Sequence, residues 1–258
     1  MNNVLALSSV VIKEMYRRKD FYVLFILTSL ITLVLGSVNF FNDDKIVRFL
    51  KEICLLLIWV ATLTIAIITT ARQIPAEKEN RTIFPLLAKP VTRAELVLGK
   101  FLGCWLACGL ALVVFYGFFG IIIAVREQQL PLLNYFQALW LHWMMLGIVI
   151  ALALLGSVMF AAPSSNATIC FVLVLGMLLL GRHLGKVAAG LSEPGSTIIY
   201  VVYYLAPHLE IFDVRDLIIH NQGLIDWGAW LLATPYALAY TAFFLTATWL
   251  LFRHKPLN

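Results

Sequence analysis

The chain has 258 residues, of which 62% are hydrophobic and only 13% are charged, and its formal net charge is +5. An ordinary soluble domain contains about 25% charged and about 45–50% apolar residues, so this composition excludes that class. The stretches without Asp, Glu, Lys or Arg are 21–42, 53–71, 101–125, 128–181 and 227–252. Since a helix needs roughly 20 apolar residues to cross a bilayer, we predict an integral membrane protein.

Helices are the predicted elements, because only helices and closed barrels satisfy their backbone polar groups in lipid. Stretches that are apolar throughout, without alternation, argue against a barrel. We therefore predict an all-α polytopic protein with six transmembrane helices. The six spans cover about 21–41, 51–71, 101–125, 138–161, 167–188 and 228–252. A turn at 162–167, where Pro163 and three polar residues interrupt the apolar run, separates spans 4 and 5.

The first twenty residues predict an interfacial helix rather than a cleaved signal peptide. Val4, Leu7 and Val11 belong to a broad apolar face, and a basic cluster ends at Lys19 just before the first span. A signal peptide would carry its basic residues at the start, and a cleavage site would follow its apolar stretch. The sequence shows neither feature.

The distribution of Lys and Arg predicts the orientation of the spans. Six spans place both termini, residues 72–101 and the 162–167 turn on one side. That side holds twelve of the 19 Lys and Arg residues, and the other side holds seven. Because cytoplasmic loops carry the excess of positive charge, we predict a multi-pass protein of the plasma (inner) membrane with both termini in the cytoplasm.

On the opposite side, residues 184–226 are expected to form external re-entrant or interfacial helices. Pro207 divides an amphipathic run there into two helical pieces. The acidic and histidine residues of this segment do not follow a recognised metal-ligand spacing, so no metal is assigned and a solvated face is favoured. They are His208, Glu210, Asp213, Asp216 and His220. His142 is the ionisable candidate within a span, and we expect it near the outer interface beside two tryptophans.

Residues 72–101, between spans 2 and 3, carry helix signals that a plain loop does not need. Thr92 precedes Glu95 by three residues, which is the capping-box pattern of a helix start. The charged run 77–81 can continue the second span into the cytoplasm, and Phe84, Leu86 and Leu87 can hold the segment against the membrane. Composition alone leaves two interpretations open: a docking surface for a cytoplasmic partner, or a solvated loop with interfacial anchors.

This segment resembles the loop of ABC-2-type transporter permeases, which runs approximately as E-x-E-x-G-T, a hydrophobic residue, x-x-L-L-[AS]-x-P-[VI]-[ST]-R-x-E, a hydrophobic residue and x-x-G-K. The matching residues are Glu77, Glu79, Thr82, Leu86, Leu87, Ala88, Pro90, Val91, Thr92, Arg93, Glu95, Gly99 and Lys100. Arg81 stands where the family usually has Gly. The resemblance extends over nearly the whole chain, so we expect a single ABC-2-type transmembrane domain over 1–258.

The resemblance implies a function and a set of partners. The loop would contain a coupling helix, between spans 2 and 3, that sits in a cleft of an ATP-binding subunit and passes ATP-driven closure to the spans. The residues that the resemblance assigns to ATPase coupling are Glu77, Glu79, Thr82, Pro90, Val91, Thr92, Arg93, Glu95, Gly99 and Lys100. The turn at 162–167 would be a second, smaller cytoplasmic contact.

A separate subunit is expected to supply the ATPase activity, because the sequence contains no P-loop. The string GRHLGKV at 181–187 spaces its glycines one residue too closely and ends on Val187, which has no hydroxyl. We therefore assign no catalytic, cofactor or metal residue, and expect ATP and Mg²⁺ in two partner ATPase subunits. Because one six-span bundle is half of such a transporter, we also expect a second permease, identical or homologous. Membrane lipids surround the bundle, the external segment could meet a periplasmic partner, and nucleic acid is not expected.

Three observations bear on the mode of action. The spans hold few ionisable groups, which argues against an ion-driven transporter and suits export of a lipid or amphiphile. Gly99, Gly103 and Ala107 form a small-residue face, for which an intrachain contact is favoured over a dimer seam.

The coupling motif suits equally a non-transporting anchor or force-transmitting partner of an ATPase. An intramembrane enzyme is the weaker alternative, because the sequence holds no HExxH, no GxSxG and no paired intramembrane aspartates.

Overall fold

A computed structural model of the chain describes residues 2–17, 19–37, 43–79, 91–127, 132–220 and 222–255. Every regular element within these ranges is helical, in agreement with the predicted all-α class. The α-helices are α1 (Asn2–Arg17), α2 (Lys19–Ser37), α3 (Asp43–Ala71), α4 (Gln73–Glu79), α5 (Arg93–Glu127), α6 (Leu132–Met159), α7 (Pro163–Gly190), α8 (Gly195–Leu205), α9 (Arg215–Ile219) and α10 (Trp227–His254). A 3₁₀ turn, Leu209–Phe212, lies between α8 and α9.

Each of the six predicted spans falls on a separate helix, namely α2, α3, α5, α6, α7 and α10. Four described stretches are long and apolar enough to cross a membrane: Val47–Glu77, Arg93–Val125, Leu132–Met159 and Trp227–His254. Helices α2 and α7 contribute the shorter apolar stretches Tyr22–Val34 and Pro163–Leu179. The polytopic all-α membrane fold is therefore confirmed, and the count of six spans stays a prediction.

Helix α6 forms the centre of the bundle. It packs against α10, α5, α3 and α7, and most of its residues beyond the second turn are buried. Its contact with α5 is tightened by Trp105 and Trp143, whose indole nitrogens each donate to the other residue's backbone carbonyl at 3.0 Å. The two rings stack with centroids 4.5 Å apart. A helix with apolar residues around its whole circumference is suited to this central position.

Helix α1 packs along the first half of α5, and the two helices run in the same direction. A Cβ placed on Gly99 would lie 2.7 Å from the Leu7 Cβ, and one placed on Gly103 would lie 2.6 Å from the Val11 Cβ. Both contacts therefore advance by four residues along each helix. The small-residue face makes an intrachain contact, as favoured by the sequence, because glycine lets the two backbones approach closely.

The turn between α6 and α7 differs from its prediction. Helix α6 ends at Met159 and α7 begins at Pro163. The polar residues after Pro163, which were predicted to separate the two helices, therefore belong to the first turn of α7. Proline is favoured at the first helical position, because its missing N–H has no intrahelical partner there. Asn166 is fully buried and its Nδ2 donates to the Ala153 carbonyl at 2.9 Å. This bond ties the start of α7 back onto α6.

The external segment divides at Pro207, as predicted. Helix α8 ends at Leu205, and the 3₁₀ turn and α9 follow after a bend of 42°. Leu209, Phe212 and Ile218 are buried in the core cluster, so the second piece inserts into the bundle. It packs against α3, α6 and α7. Of the two predicted arrangements, the buried side chains of this piece fit a re-entrant segment better than one lying on the surface.

Candidate functional site

The segment expected to couple the chain to an ATPase is described at both of its ends. Helix α3 ends at Ala71, the chain turns at Arg72 and α4 follows, with the Ala76 N–H donating to the Arg72 carbonyl at 3.0 Å. The charged run after the second span therefore starts as a helical continuation of it, as predicted. The predicted coupling residues Thr82 and Pro90, and the apolar anchors between them, lie outside the described residues.

Thr92 and Glu95 form the predicted capping box at the start of α5. The Glu95 N–H donates to Thr92 Oγ1 at 3.2 Å, and the Thr92 N–H donates to Glu95 Oε2 at 2.8 Å. The Thr92 hydroxyl donates to the same carboxylate oxygen at 3.0 Å, and the Asn3 side chain of α1 also bonds to Glu95. A helix start leaves backbone N–H groups without partners, and these bonds satisfy two of them. The first turn of α5 is therefore well ordered by its own sequence.

An ion pair joins α4 to α5 across residues 80–90. Lys100 Nζ lies 2.6 Å from Glu77 Oε1, and the two side chains are 5% and 18% exposed. At this burial the pair is largely shielded from water, so removing one charge of the pair is costly. The ion pair therefore fixes the two helices that flank the undescribed residues relative to each other.

Arg93 turns into the protein and binds the carboxyl end of α10. Its Nη1 donates to the carbonyl of Phe252, to that of Arg253 at 2.9 Å and to that of Lys255 at 3.3 Å. The guanidinium also lies over the Phe252 ring, 5.4 Å from its centroid. The last carbonyls of a helix lack intrahelical donors and carry partial negative charge, so a guanidinium stabilises this end. The Arg93 side chain therefore lies against the end of α10, and its assignment to ATPase coupling stays a prediction.

Lys255 extends this contact to the carboxyl end of α6. Its Nζ donates to the Val158 carbonyl at 2.6 Å. The ends of α4, α6 and α10 and the start of α5 thus meet on one side of the bundle. We call this arrangement the charged rim, defined by the Glu77–Lys100 pair, by Arg93 and by Lys255. Sequence reasoning missed Lys255, although a basic residue at the end of an apolar helix is a known signal for binding terminal carbonyls.

The remaining predicted coupling residues lie around the charged rim. Glu79 is exposed at the end of α4, and Val91 is half-buried just before the capping box. Gly99 is covered by Leu7 of α1. The structure therefore brings together two pairs of predicted residues, Glu77 with Lys100 and Thr92 with Glu95, while Glu79 is the one described carboxylate among them that is exposed.

A second polar cluster lies inside the bundle around His142. This side chain is 1% exposed, and its Nε2 lies 3.1 Å from Thr62 Oγ1 of α3. Its ring stacks on Trp59 with centroids 5.1 Å apart, and its Nδ1 lies 3.5 Å from the Tyr116 hydroxyl. The predicted position near the outer interface stays a prediction. Within the bundle, His142 contacts α3 and α5, which supply the hydrogen-bonding partners that a buried imidazole requires.

The external segment carries two internal ionic contacts and touches α3 beside this cluster through a cation–π contact. Arg215 binds Asp213 through two nitrogen–oxygen contacts of 2.8 Å, and its guanidinium lies 4.8 Å from the Trp59 ring centroid. His208 Nδ1 lies 3.1 Å from Glu210 Oε1. Within the described ranges, no three His, Cys, Asp or Glu side chains come together in a way that could hold a metal ion.

The comparison with family models agrees with these features. The model of the ABC-2 family transporter proteins matches residues 5–255, which is nearly the whole chain. A comparison with curated proteins found no significant match. The matched region includes the apolar helices, the coupling segment with its capping box, and the charged rim. The chain belongs to the ABC-2 transporter family and is a multi-pass membrane permease whose family works with ABC ATPase subunits.

Proposed function

We propose that this permease is the membrane subunit of an exporter, and that a separate subunit hydrolyses ATP to drive the movement of a lipid or amphiphile. The observation that carries this proposal is the way the coupling segment is held. Its described ends are fixed by the 2.6 Å ion pair between Glu77 and Lys100 and by the capping box of Thr92 and Glu95. A force that an ATPase applied to the coupling segment would therefore displace α4 and α5 together.

The proposed complex contains two ATPase subunits, which bind ATP and Mg²⁺, and a second permease that is identical or homologous. This chain itself would have no enzymatic activity. Both ends of the described chain lie at the charged rim, since Asn3 bonds to Glu95 and Lys255 binds beside Arg93. This shared location supports an even number of crossings, with both termini and the coupling segment in the cytoplasm and the permease in the plasma (inner) membrane.

An amphiphilic substrate is supported by the outer face of α10. An open groove with a volume of about 240 Å³ between α8 and α10 is lined by Tyr204, Leu205, Ala239, Tyr240 and Phe243. Three of these five residues are aromatic, and their rings carry at most a single hydroxyl each. Such a surface accommodates an apolar chain, and the tyrosine hydroxyls can bond to a polar group attached to it. The external segment beside it would also be the contact for a periplasmic partner.

Co-purification from the native membrane tests the proposed partnership. The tagged permease should bring a P-loop ATPase with it, and Glu79→Lys, which reverses the exposed charge at the end of α4, should reduce the recovered ATPase strongly. Glu52→Lys is the matched control, because Glu52 is an exposed carboxylate in the first half of α3, far from the end of α4. Absence of any ATPase with the native chain would refute the proposal.

A second measurement separates an exporter from a non-transporting anchor. The co-purified complex is reconstituted in liposomes that contain a fluorescent phospholipid. The movement of this phospholipid between the two leaflets is followed with and without ATP. ATP-dependent movement supports an exporter of amphiphiles. A complex that hydrolyses ATP without moving any lipid or amphiphile supplied to it favours the anchor or force-transmitting alternative.

A further inference from the structure

Arg93 connects two parts of the chain that are far apart in sequence. It is the first residue of α5, directly after the capping threonine, and its side chain reaches the last turn of α10. The hydrogen bonds are made to backbone carbonyls, so they depend on where α10 ends. Any displacement of the start of α5 therefore acts directly on the end of the last helix.

This contact combines hydrogen bonds to backbone carbonyls with stacking on an aromatic ring. Three carbonyl oxygens, those of Phe252, Arg253 and Lys255, are reached by one guanidinium nitrogen. Arginine offers five N–H donors in a rigid planar fork, and its plane can also lie on an aromatic ring, as it does on Phe252. A lysine at this position would keep the positive charge and the N–H donors at the helix end but would lose the planar group that stacks on Phe252.

Lys255 continues the connection from α10 to α6. It directly follows α10, and its ammonium donates to the Val158 carbonyl in the last turn of α6. Helices α6 and α10 also share the most extensive helix contact among the described residues. The start of α5 is thus joined through Arg93 to α10 and through Lys255 to α6, while the Glu77–Lys100 pair joins it to α4.

We propose that Arg93 is a positioning residue for force transmission: it carries the displacement of the coupling segment to the last helix and, through Lys255, to α6, and it does not contact the ATPase. This inference rests on the proposed function. Arg93 is only half-buried and lies at the edge of the bundle, so its loss leaves the packed core intact. Its replacement should therefore impair transmission more than it impairs folding or docking.

The test measures docking and transmission on the same complex. The four native cysteines are all buried, so a cysteine introduced at Leu224, which is 47% exposed just ahead of α10, is labelled selectively by a maleimide. The complex with its co-purified ATPase is labelled with and without ATP, in the Leu224→Cys background and with Arg93→Gln added. Arg253→Gln is the matched control, because it removes an exposed charge from the same helix end.

The expected result is that ATP changes the labelling rate about fivefold or more in the parent and the Arg253→Gln variant. In Arg93→Gln this change should be lost although the recovered ATPase is unchanged, and Arg93→Lys should restore part of it. Lys255→Met should weaken the ATP-dependent change in labelling without reducing the amount of recovered ATPase. This second variant tests the connection from α10 to α6 even if Arg93→Gln proves poorly folded.

Three results would overturn the inference. Loss of the ATPase in a well-folded Arg93→Gln variant would make Arg93 a docking residue. A full ATP response in that variant would remove it from transmission, and a parent that binds the ATPase but shows no ATP response would mean that the last helix does not move. A parent that recovers no ATPase refutes the proposed function itself, which is a distinguishable failure.

Discussion

A side chain at Gly103 should displace helix α1 from α5. The Cβ of an alanine there would lie 2.6 Å from the Val11 Cβ and 3.0 Å from the Ser8 carbonyl oxygen. Carbon atoms in contact are normally about 3.5–4.0 Å apart, so α1 would have to retreat by about 1 Å. Overpacking of this kind costs about 1–3 kcal/mol. Alanine also gains about 1 kcal/mol over glycine in a helix, which partly hides that cost.

The matched control is Gly117→Ala on the same helix, because a Cβ at Gly117 would meet nothing within 4 Å. The helix-propensity gain is common to both variants, so their difference in unfolding free energy isolates the contact with α1. We expect Gly103→Ala to be less stable than Gly117→Ala by about 1–3 kcal/mol. In detergent this corresponds to a Tm lower by about 2–4 °C for each kcal/mol.

Hydrogen exchange locates the effect. Amides of residues 2–17 should exchange faster in Gly103→Ala than in Gly117→Ala, while those of α6 should be unaffected. If the two variants show the same Tm and the same exchange in α1, then α1 does not rest on the glycine face and the arrangement of these two helices is wrong.

Three further predictions concern the charged rim and the turn beside it. Lys100→Met should destabilise the chain by up to about 3–5 kcal/mol, and the double variant with Glu77→Leu should recover most of this loss in thermal unfolding. Thr92→Ala should cost about 0.5–2 kcal/mol of helix stability and speed hydrogen exchange in the first turn of α5, whereas Thr92→Ser should not. Gly156→Ala would place a Cβ 1.9 Å from Asn166 Oδ1, so it should lower the Tm, and an unchanged Tm would contradict the buried position of that side chain.

The sequence by itself determined the features that depend on neighbouring residues. Apolar stretches of the right length predicted the helices, since each transmembrane helix satisfies its own backbone. The capping box at Thr92 was readable because its two side chains are three residues apart, and the break at Pro207 was readable because proline disrupts a helix locally. The family resemblance, carried by the segment around these residues, agrees with the family match over 5–255.

Only the tertiary structure decided which helix ends and buried groups meet. The family motif assigns Arg93 to ATPase coupling, and only the structure shows that its side chain binds carbonyls 159 residues or more away along the chain. His142 likewise found its partner Thr62 on another helix, 80 residues away. Such pairings follow from the packing of whole helices, because a buried polar group must find a partner and only the fold decides which one is within reach. Short-range patterns in a sequence do not predict contacts between residues that are far apart along the chain.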